Sequence, residues 1–371
     1  MSNFTLAEYI WIDGGVPTRK VRSKARVVNL GDAPTIEDFP EWSFDGSSTY
    51  QAVGNDSDCL LSPVAFVDDP IRGPGNYLVM CEVNNADGTP HESNSRAQLR
   101  AVLDAGGEEL KTWLGFEQEY TLFKNRTPLG WPEQGFPGPQ GPYYCGVGSD
   151  EVFGREICEA HAELCLQTEL MFYGVNAEVM PGQWEFQIGY RGDENEPADA
   201  LKICDHMWIA RWLLYRVAEE FGVTVTIDNK PIKGDWNGAG MHTNVSTIDT
   251  RDKTKGRQAI KDACEALSAK HAEHILVYGA GLADRLTGLH ETCDIDTFKY
   301  GTADRGCSIR IPQPVELKGY GYFEDRRPGA NADPYLVAAR IITTISDVVD
   351  ESVLKFNQWP RKDAKFAIAA E

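Results

Sequence analysis

The sequence predicts an α+β protein, with a small β-rich domain ahead of a larger one in which helices and strands alternate. Three observations point there. The chain's 371 residues exceed what one ordinary domain needs. Its first stretch carries β-branched and aromatic residues between Gly, Pro and Asp punctuation. Helical spacing begins abruptly near residue 93. In the first part, residues 7–13 (AEYIWID), 25–30 (ARVVNL) and 77–84 (YLVMCEVN) read as strands. Residues 93–106 (SNSRAQLRAVLDAG) then switch to the helical period, with Ser93 or Asn94 as the cap. The boundary is expected at about residue 90, dividing the chain into 1–90 and 91–371.

In the second part, residues 124–149 form a long Pro/Gly-rich passage whose Trp and Tyr content predicts an ordered loop. Helices are expected over 150–173, 197–221 (with Pro197 in the first turn), 257–278 and 334–353. Strands are expected over 115–123, 177–179 with 184–188, 223–227, 242–246 and 307–311.

Composition excludes several classes. The 36 basic against 56 acidic residues give a formal charge of −20, which removes the basic footprint that nucleic-acid binding requires. No apolar run approaches 18 residues, so no membrane span is predicted. The start, MSNFTLAEYIWIDGG, lacks the basic and apolar regions of a signal peptide. Nine cysteines occur singly, without a C-x-x-C pair, which fits reduced thiols and a cytoplasmic location.

Four segments concentrate chemistry. In GFEQEY (115–120), Glu117 and Glu119 are two residues apart and project from one strand face roughly 6.6–7 Å apart. On its own such a pair reads as a solvated strand face, and only the segments that follow favour a site. In AEVMPGQWEFQI (177–188), the Pro181-Gly182 turn sets Glu178 and Glu185 on adjacent antiparallel strands within apolar surroundings. In NGAGMH (237–242), three small residues precede His242 and permit close backbone approach to a ligand. In YFEDRR (322–327), Glu324 lies between aromatics and arginines. Five glutamates and one histidine make two sets of three, and such hard donors suit Mg²⁺ or Mn²⁺. Arg285, Arg305, Arg310, Arg326 and Arg327 supply bidentate anion-binding groups. Metals plus arginines, with no nucleophilic triad and no G-x-x-x-x-G-K-[ST] loop, point to phosphoryl transfer outside the P-loop class.

In this order the segments FDGSST (44–49), GFEQEYTLF (115–123), GPYYCGVG (141–148), EVMPGQWEFQIG (178–189), NGAGMHTN (237–244), HETCDI (290–295), RGCSIRIP (305–312) and YFEDRRPGAN (322–331) resemble glutamine synthetase. The resemblance runs from about residue 6 to 355, and its length and motif forms are similar to the type II, eukaryotic-like class. Departures are the acidic flap HETCDID and the tail after Trp359. The resemblance implies a β-grasp domain followed by a catalytic α+β domain with a curved antiparallel sheet. It also implies ATP-dependent ligation of ammonia to glutamate through γ-glutamyl phosphate, with two or more Mg²⁺ or Mn²⁺ ions per site. By the same resemblance, Glu119, Glu178 and Glu185 hold the metal beside glutamate, and Glu117, His242 and Glu324 the metal at the ATP phosphates. Arg285, Arg326, Asn237 and Gly238 bind glutamate. Asn244, Ser246, Arg305 and Arg310 serve ATP, Arg305 also stabilising the transferring phosphoryl group. Asp45 deprotonates ammonium, and Glu291 sits on the closing flap. The family further implies a ring assembly, a decamer of two pentameric rings, with sites between neighbours. Rival readings are a γ-glutamyl-amine synthetase, an ATP-dependent γ-glutamate–cysteine ligase and an inactive regulatory relative. FDGSST and HETCDI speak against the first, the second shares the chemistry but not these motifs, and the intact ligand and arginine positions speak against the third.

Overall fold

Residue alternation decides the first sheet in the computed structural model, which describes residues 4–193 and 196–355. The strands are β1 (Phe4–Ile12), β2 (Val21–Asn29), β3 (Trp42–Asp45), β4 (Asp58–Asp68) and β5 (Tyr77–Asn84), in the order β2-β1-β5-β4-β3. The central pair, β1 and β5, is parallel and the other neighbours are antiparallel. Tyr9, Trp11, Val79, Cys81 and Val83 enter a small core with Phe39, Phe44 and Leu61. Ile10, Ile12, Leu78 and Met80 enter the large core of the rest of the chain. Both faces of the central strands are thus covered, which is why YLVMCEVN reads as a nearly continuous apolar run.

Buried charge ties this sheet to the rest of the chain. Helix α1 (Ser95–Asp104) is capped by Asn94, whose side chain accepts from the Ala97 N–H. Its Arg96 bridges Glu82 on β5 and Asp205 at 3.0 and 2.8 Å. Arg19 likewise pairs with Asp333 at 3.3 Å. Removing one member of such a buried pair leaves an uncompensated charge, a loss on the order of 3–5 kcal/mol.

The second sheet comprises β6 (Trp113–Lys124), β7 (Thr127–Pro128), β8 (Phe172–Ala177), β9 (Gln183–Gly189), β10 (Thr224–Thr226), β11 (Met241–Ser246), β12 (Tyr300–Thr302), β13 (Ile309–Ile311) and β14 (Phe323–Asp325). It curls into a half-barrel in the order β12-β13-β14-β11-β6-β9-β8, with β7 and β10 also on β6. It is antiparallel apart from the β12–β13 pair. On β6, Phe116, Gln118, Tyr120 and Leu122 are buried in one direction, while Glu117 and Glu119 face the other. The helices are α2 (Arg155–Gln167), α3 (Ala200–Phe221), α4 (Gly256–Ala269), α5 (His271–Ile275), α6 (Leu282–Arg285), α7 (Gln313–Lys318) and α8 (Pro334–Ile345). Met207, Trp208 and Leu213 of α3 share the core with Phe116, Tyr120 and Phe186 of the sheet.

Several expected bounds shift for local reasons. The helix expected over 150–173 starts only after Gly154, at φ 85°, and is followed by Glu169 at φ 55° and then by β8. Pro197 lies ahead of α3, whose cap is Asp199 accepting from the Lys202 N–H. The helix expected over 257–278 breaks at Lys270 into α4 and α5. That over 334–353 ends at Ile345, with a separate turn at Glu351–Val353. Among the described residues no helix is long and apolar enough to cross a membrane. The tail after Trp359 lies outside the described residues.

Candidate active site

Strand register gathers the carboxylates. On β6 and β9 Glu119 stands opposite Glu185, and Glu117 opposite Gln187. On β6 and β11 Glu117 stands opposite His242, and Asn244 of β11 stands opposite Glu324 of β14. Glu178 comes directly after β8, its N–H donating to the Gln183 carbonyl across the turn. Two groups of three donors result: Glu117, His242 and Glu324, and Glu119, Glu178 and Glu185. Within each group the donor atoms lie within 4.8 Å of one another.

Neighbouring amides orient these carboxylates. Asn176 donates to Glu178 at 2.9 Å, Gln187 to Glu185 at 2.6 Å, and Asn244 to Glu117 at 2.7 Å. The Gly240 N–H donates to Glu119. Arg326 donates to Glu324 at 2.5 Å, and Arg310 also contacts Glu324. Asn176 and Gln187 were not singled out from sequence, although each stands two residues from the glutamate that it holds, Asn176 just ahead of Glu178 and Gln187 on β9 with Glu185, a spacing that could have revealed them.

The electrostatics describe groups prepared for a cation. Burial, with Glu119 close by, pushes the Glu178 carboxyl up to about 8. Burial and the carboxylates of Glu117, Glu119 and Glu178 push Glu185 up to about 9. Glu119 is raised chiefly by burial. Burial and the Arg326 charge hold His242 well below its usual range, so the imidazole is neutral. Arg285 lies 2.9 Å from His242 Nε2 and can only donate, so the ring hydrogen sits on Nδ1. Nδ1 lies 3.5 Å from both Glu117 and Glu324, so that hydrogen occupies the position a cation would take. Crowded carboxylates, a neutral imidazole and amides fixing the outer oxygens are a donor set that fits a hard divalent ion.

The six donors line one cavity of about 540 Å³ together with Asn237, Gly238, Arg285, Glu291, Arg305, Arg310 and Arg326. Gly238 permits that packing, since a Cβ there would lie 2.6 Å from the Asn229 carbonyl oxygen and 2.7 Å from Arg285 Cγ. Burial lowers the Arg285 guanidinium to about 10, which leaves it charged at neutral pH. Glu291 is exposed at φ 59°, its carbonyl accepting from Arg326 at 3.3 Å.

Four expected residues stand apart from the cavity lining. Arg327, expected to bind an anion, is fully buried and pairs instead with Asp325 at 2.7 Å. Asn244 borders it through Glu117, and its buried Oδ1 has no partner. The Ser246 hydroxyl accepts from Arg251 at 2.9 Å. Arg251 lies over the Trp113 ring at 4.4 Å, and Trp113 stacks on Tyr190 at 5.5 Å. These three residues were missed because only the folded chain brings them to Ser246. Asp45 is fully exposed at the end of β3, where its carboxylate caps its own turn and accepts from Ser47 and Ser48. Those hydroxyl donors hold it below the usual carboxylate range.

Known proteins give the same pattern a family. The description "Glutamine synthetase, catalytic domain" matches residues 92–357, and "Glutamine synthetase, beta-Grasp domain" matches residues 3–86. The glutamine synthetase of Streptomyces viridochromogenes is 52% identical over 348 residues, covering 93% of this chain and 98% of that protein. A chloroplastic glutamine synthetase of Chlamydomonas reinhardtii is 52% identical over 349 residues, covering 91% and 90%. The Neurospora crassa glutamine synthetase is 52% identical over 348 residues, covering 93% of each. Carrying both domains of these proteins at this identity, the chain belongs to the glutamine synthetase family.

Proposed function

We propose that the chain ligates ammonia to the side-chain carboxylate of L-glutamate with ATP, giving L-glutamine, ADP and phosphate. The observation that carries this reading is the pairing, in one cavity, of two three-donor sets with four arginines. Glu119, Glu178 and Glu185 would hold one divalent ion beside glutamate, and Glu117, His242 and Glu324 another beside the phosphates, with Mg²⁺ or Mn²⁺ as the ions. Bound there, such ions neutralise charge on carboxylate and phosphate oxygens.

Arg285 and Arg326 grip glutamate carboxylate oxygens, and Asn237 and Gly238 face its α-carbon end. Asn244 and Ser246 take the nucleotide. A glutamate side-chain oxygen attacks the γ-phosphorus and ADP leaves, while Arg305 and Arg310 balance charge on the transferring group. Ammonia nitrogen then attacks the acyl carbon, and phosphate departs with the former carboxylate oxygen. Asp45, kept ionised by its hydroxyl partners, collects ammonium as a counter-ion and takes its proton as nitrogen attacks. Glu291 closes over the acyl phosphate, which water would otherwise hydrolyse.

Asp45 lies outside the lining of its own chain's cavity, which supports an assembly in which it serves a neighbour's site. We propose a closed homo-oligomeric ring, stacked as a decamer of two pentamers. The division at about residue 90 into a β-grasp and a catalytic domain is supported by the two matched segments. Nine free thiols support a reducing compartment, which we take to be the cytoplasm.

The test measures phosphate release from ATP with glutamate, with ammonia and then with methylamine. Ammonia-dependent release matched by glutamine is expected. Preference for methylamine would instead indicate a γ-glutamyl-amine synthetase.

A further inference from the structure

One side chain joins two rims of the cavity. Gln140, in the long Pro/Gly-rich loop, accepts at Oε1 from the backbone N–H of Asn237 at 2.7 Å. Its Nε2 lies 3.0 Å from Nδ1 of His290, the residue before Glu291. A backbone N–H can only donate, so the amide oxygen must face Asn237 and the amide NH₂ must face His290. His290 Nδ1 is therefore the acceptor, and the ring hydrogen sits on Nε2, 3.2 Å from the Asp235 carboxylate. The hydrogen bonds form a circuit with one sense, from Asn237 through Gln140 and His290 to Asp235. It begins and ends on the same short loop. Trp131 against Trp236, at 5.0 Å, joins the same two loops a second time.

The circuit lies on an uncommon backbone conformation. His290 and Glu291 are consecutive non-glycine residues at φ 52° and 59°, in the left-handed region that L-residues adopt infrequently. Further restraint comes from the Arg326 contact to the Glu291 carbonyl at 3.3 Å.

We infer that Gln140 is a positioning residue of the ammonia-dependent step, clasping the Glu291 flap to the Asn237–Gly238 rim so that the acyl phosphate meets ammonia rather than water. This rests on the proposed ligase reading. When the clasp fails, water oxygen attacks γ-glutamyl phosphate in place of nitrogen. Glutamate and phosphate re-form, one proton is released, and ATP is consumed without glutamine.

The experiment measures phosphate and glutamine in the same reaction at saturating substrates, together with amide hydrogen exchange across residues 288–292. Gln140→Met keeps the length of the side chain but removes both the acceptor facing Asn237 and the donor facing His290 Nδ1. Its excess of phosphate over glutamine, per glutamine formed, should rise at least about fivefold over wild type, the factor one lost hydrogen bond carries. The KM for glutamate should stay near wild type, and flap exchange should accelerate. His290→Ala should leak to the same degree, and the double variant no further. A Gln140→Met enzyme whose excess phosphate equals that of wild type, or a double variant whose leaks multiply, would overturn the proposal. Should the wild type form no glutamine, the ligase reading fails. Flap exchange still judges the clasp in that case, since faster exchange in Gln140→Met supports it and unchanged exchange overturns it.

Discussion

Loading the Glu119–Glu178–Glu185 set with Mg²⁺ or Mn²⁺ should expel protons, and the number is set by the carboxyl environments. Without a cation, Glu178 titrates at about 8 and Glu185 at about 9. At pH 7 the first is roughly 90% and the second roughly 99% protonated, so about two protons leave as the ion binds. At pH 9 the same groups are roughly 10% and 50% protonated, and release falls to about half a proton. Deprotonation at pH 7 costs together about 4 kcal/mol at ~1.4 kcal/mol per unit, which weakens binding about 10³-fold relative to the alkaline limit. Affinity for the ion therefore rises with pH. The assay is titration calorimetry of chelator-treated protein in buffers of differing ionisation enthalpy, at pH 7 and 9. Glu185→Gln should reduce the release at pH 7 by about one proton, and that difference isolates this set from the His242 set. Buffer-independent heats at pH 7, or an unchanged release in Glu185→Gln, would refute the reasoning.

The same carboxyls govern the stability of the metal-free chain. Their folded-state pKa values are raised, so the folded state binds more protons and its stability falls as pH rises from the ordinary glutamate range to about 9. Tm should decline across that window and flatten when Mg²⁺ or Mn²⁺ is added; a flat metal-free profile would contradict the assignment. Glu119→Ala, Glu178→Ala and Glu324→Ala should each reduce turnover by at least about 10²-fold, and near-normal turnover in any of them would remove that residue from the metal set. Asp45→Asn should impair glutamine formation while calorimetry finds glutamate and ATP-analogue binding intact. Reassembled at random with Glu324→Ala, it should regain activity in about a quarter of sites if neighbours share them, and none if each subunit builds its own, with mass-tagged chains confirming exchange.

How far the sequence carried these readings depended on distance along the chain. The E-x-E of β6 and the turn after Glu178 were legible because strand period and Pro-Gly punctuation act over a few residues. Strand β4 was overlooked because Pro63 interrupts DCLLSPVAFVD, yet the register shifts between Pro63 and Ala65 and the proline is accommodated at that irregularity. β14 escaped notice because FED is three residues long and buries its charges against Arg310, Arg326 and Arg327. The helix ends were misjudged where a left-handed Gly154 or an Asp199 cap overrode a continuous helical pattern. Neither the Gln140–His290 contact nor the Arg251–Trp113 platform has a local signature, since each joins residues more than a hundred positions apart.

The central claim is that a glutamate side-chain oxygen attacks the γ-phosphorus of ATP before nitrogen arrives. Isotope transfer tests it most directly. Glutamate labelled with ¹⁸O in the side-chain carboxylate is turned over with unlabelled ATP and ammonia, and the phosphate is analysed by mass spectrometry. The account predicts one labelled oxygen in phosphate for each glutamine formed, because the oxygen that attacks phosphorus leaves with it. Glutamine accompanied by unlabelled phosphate would contradict it.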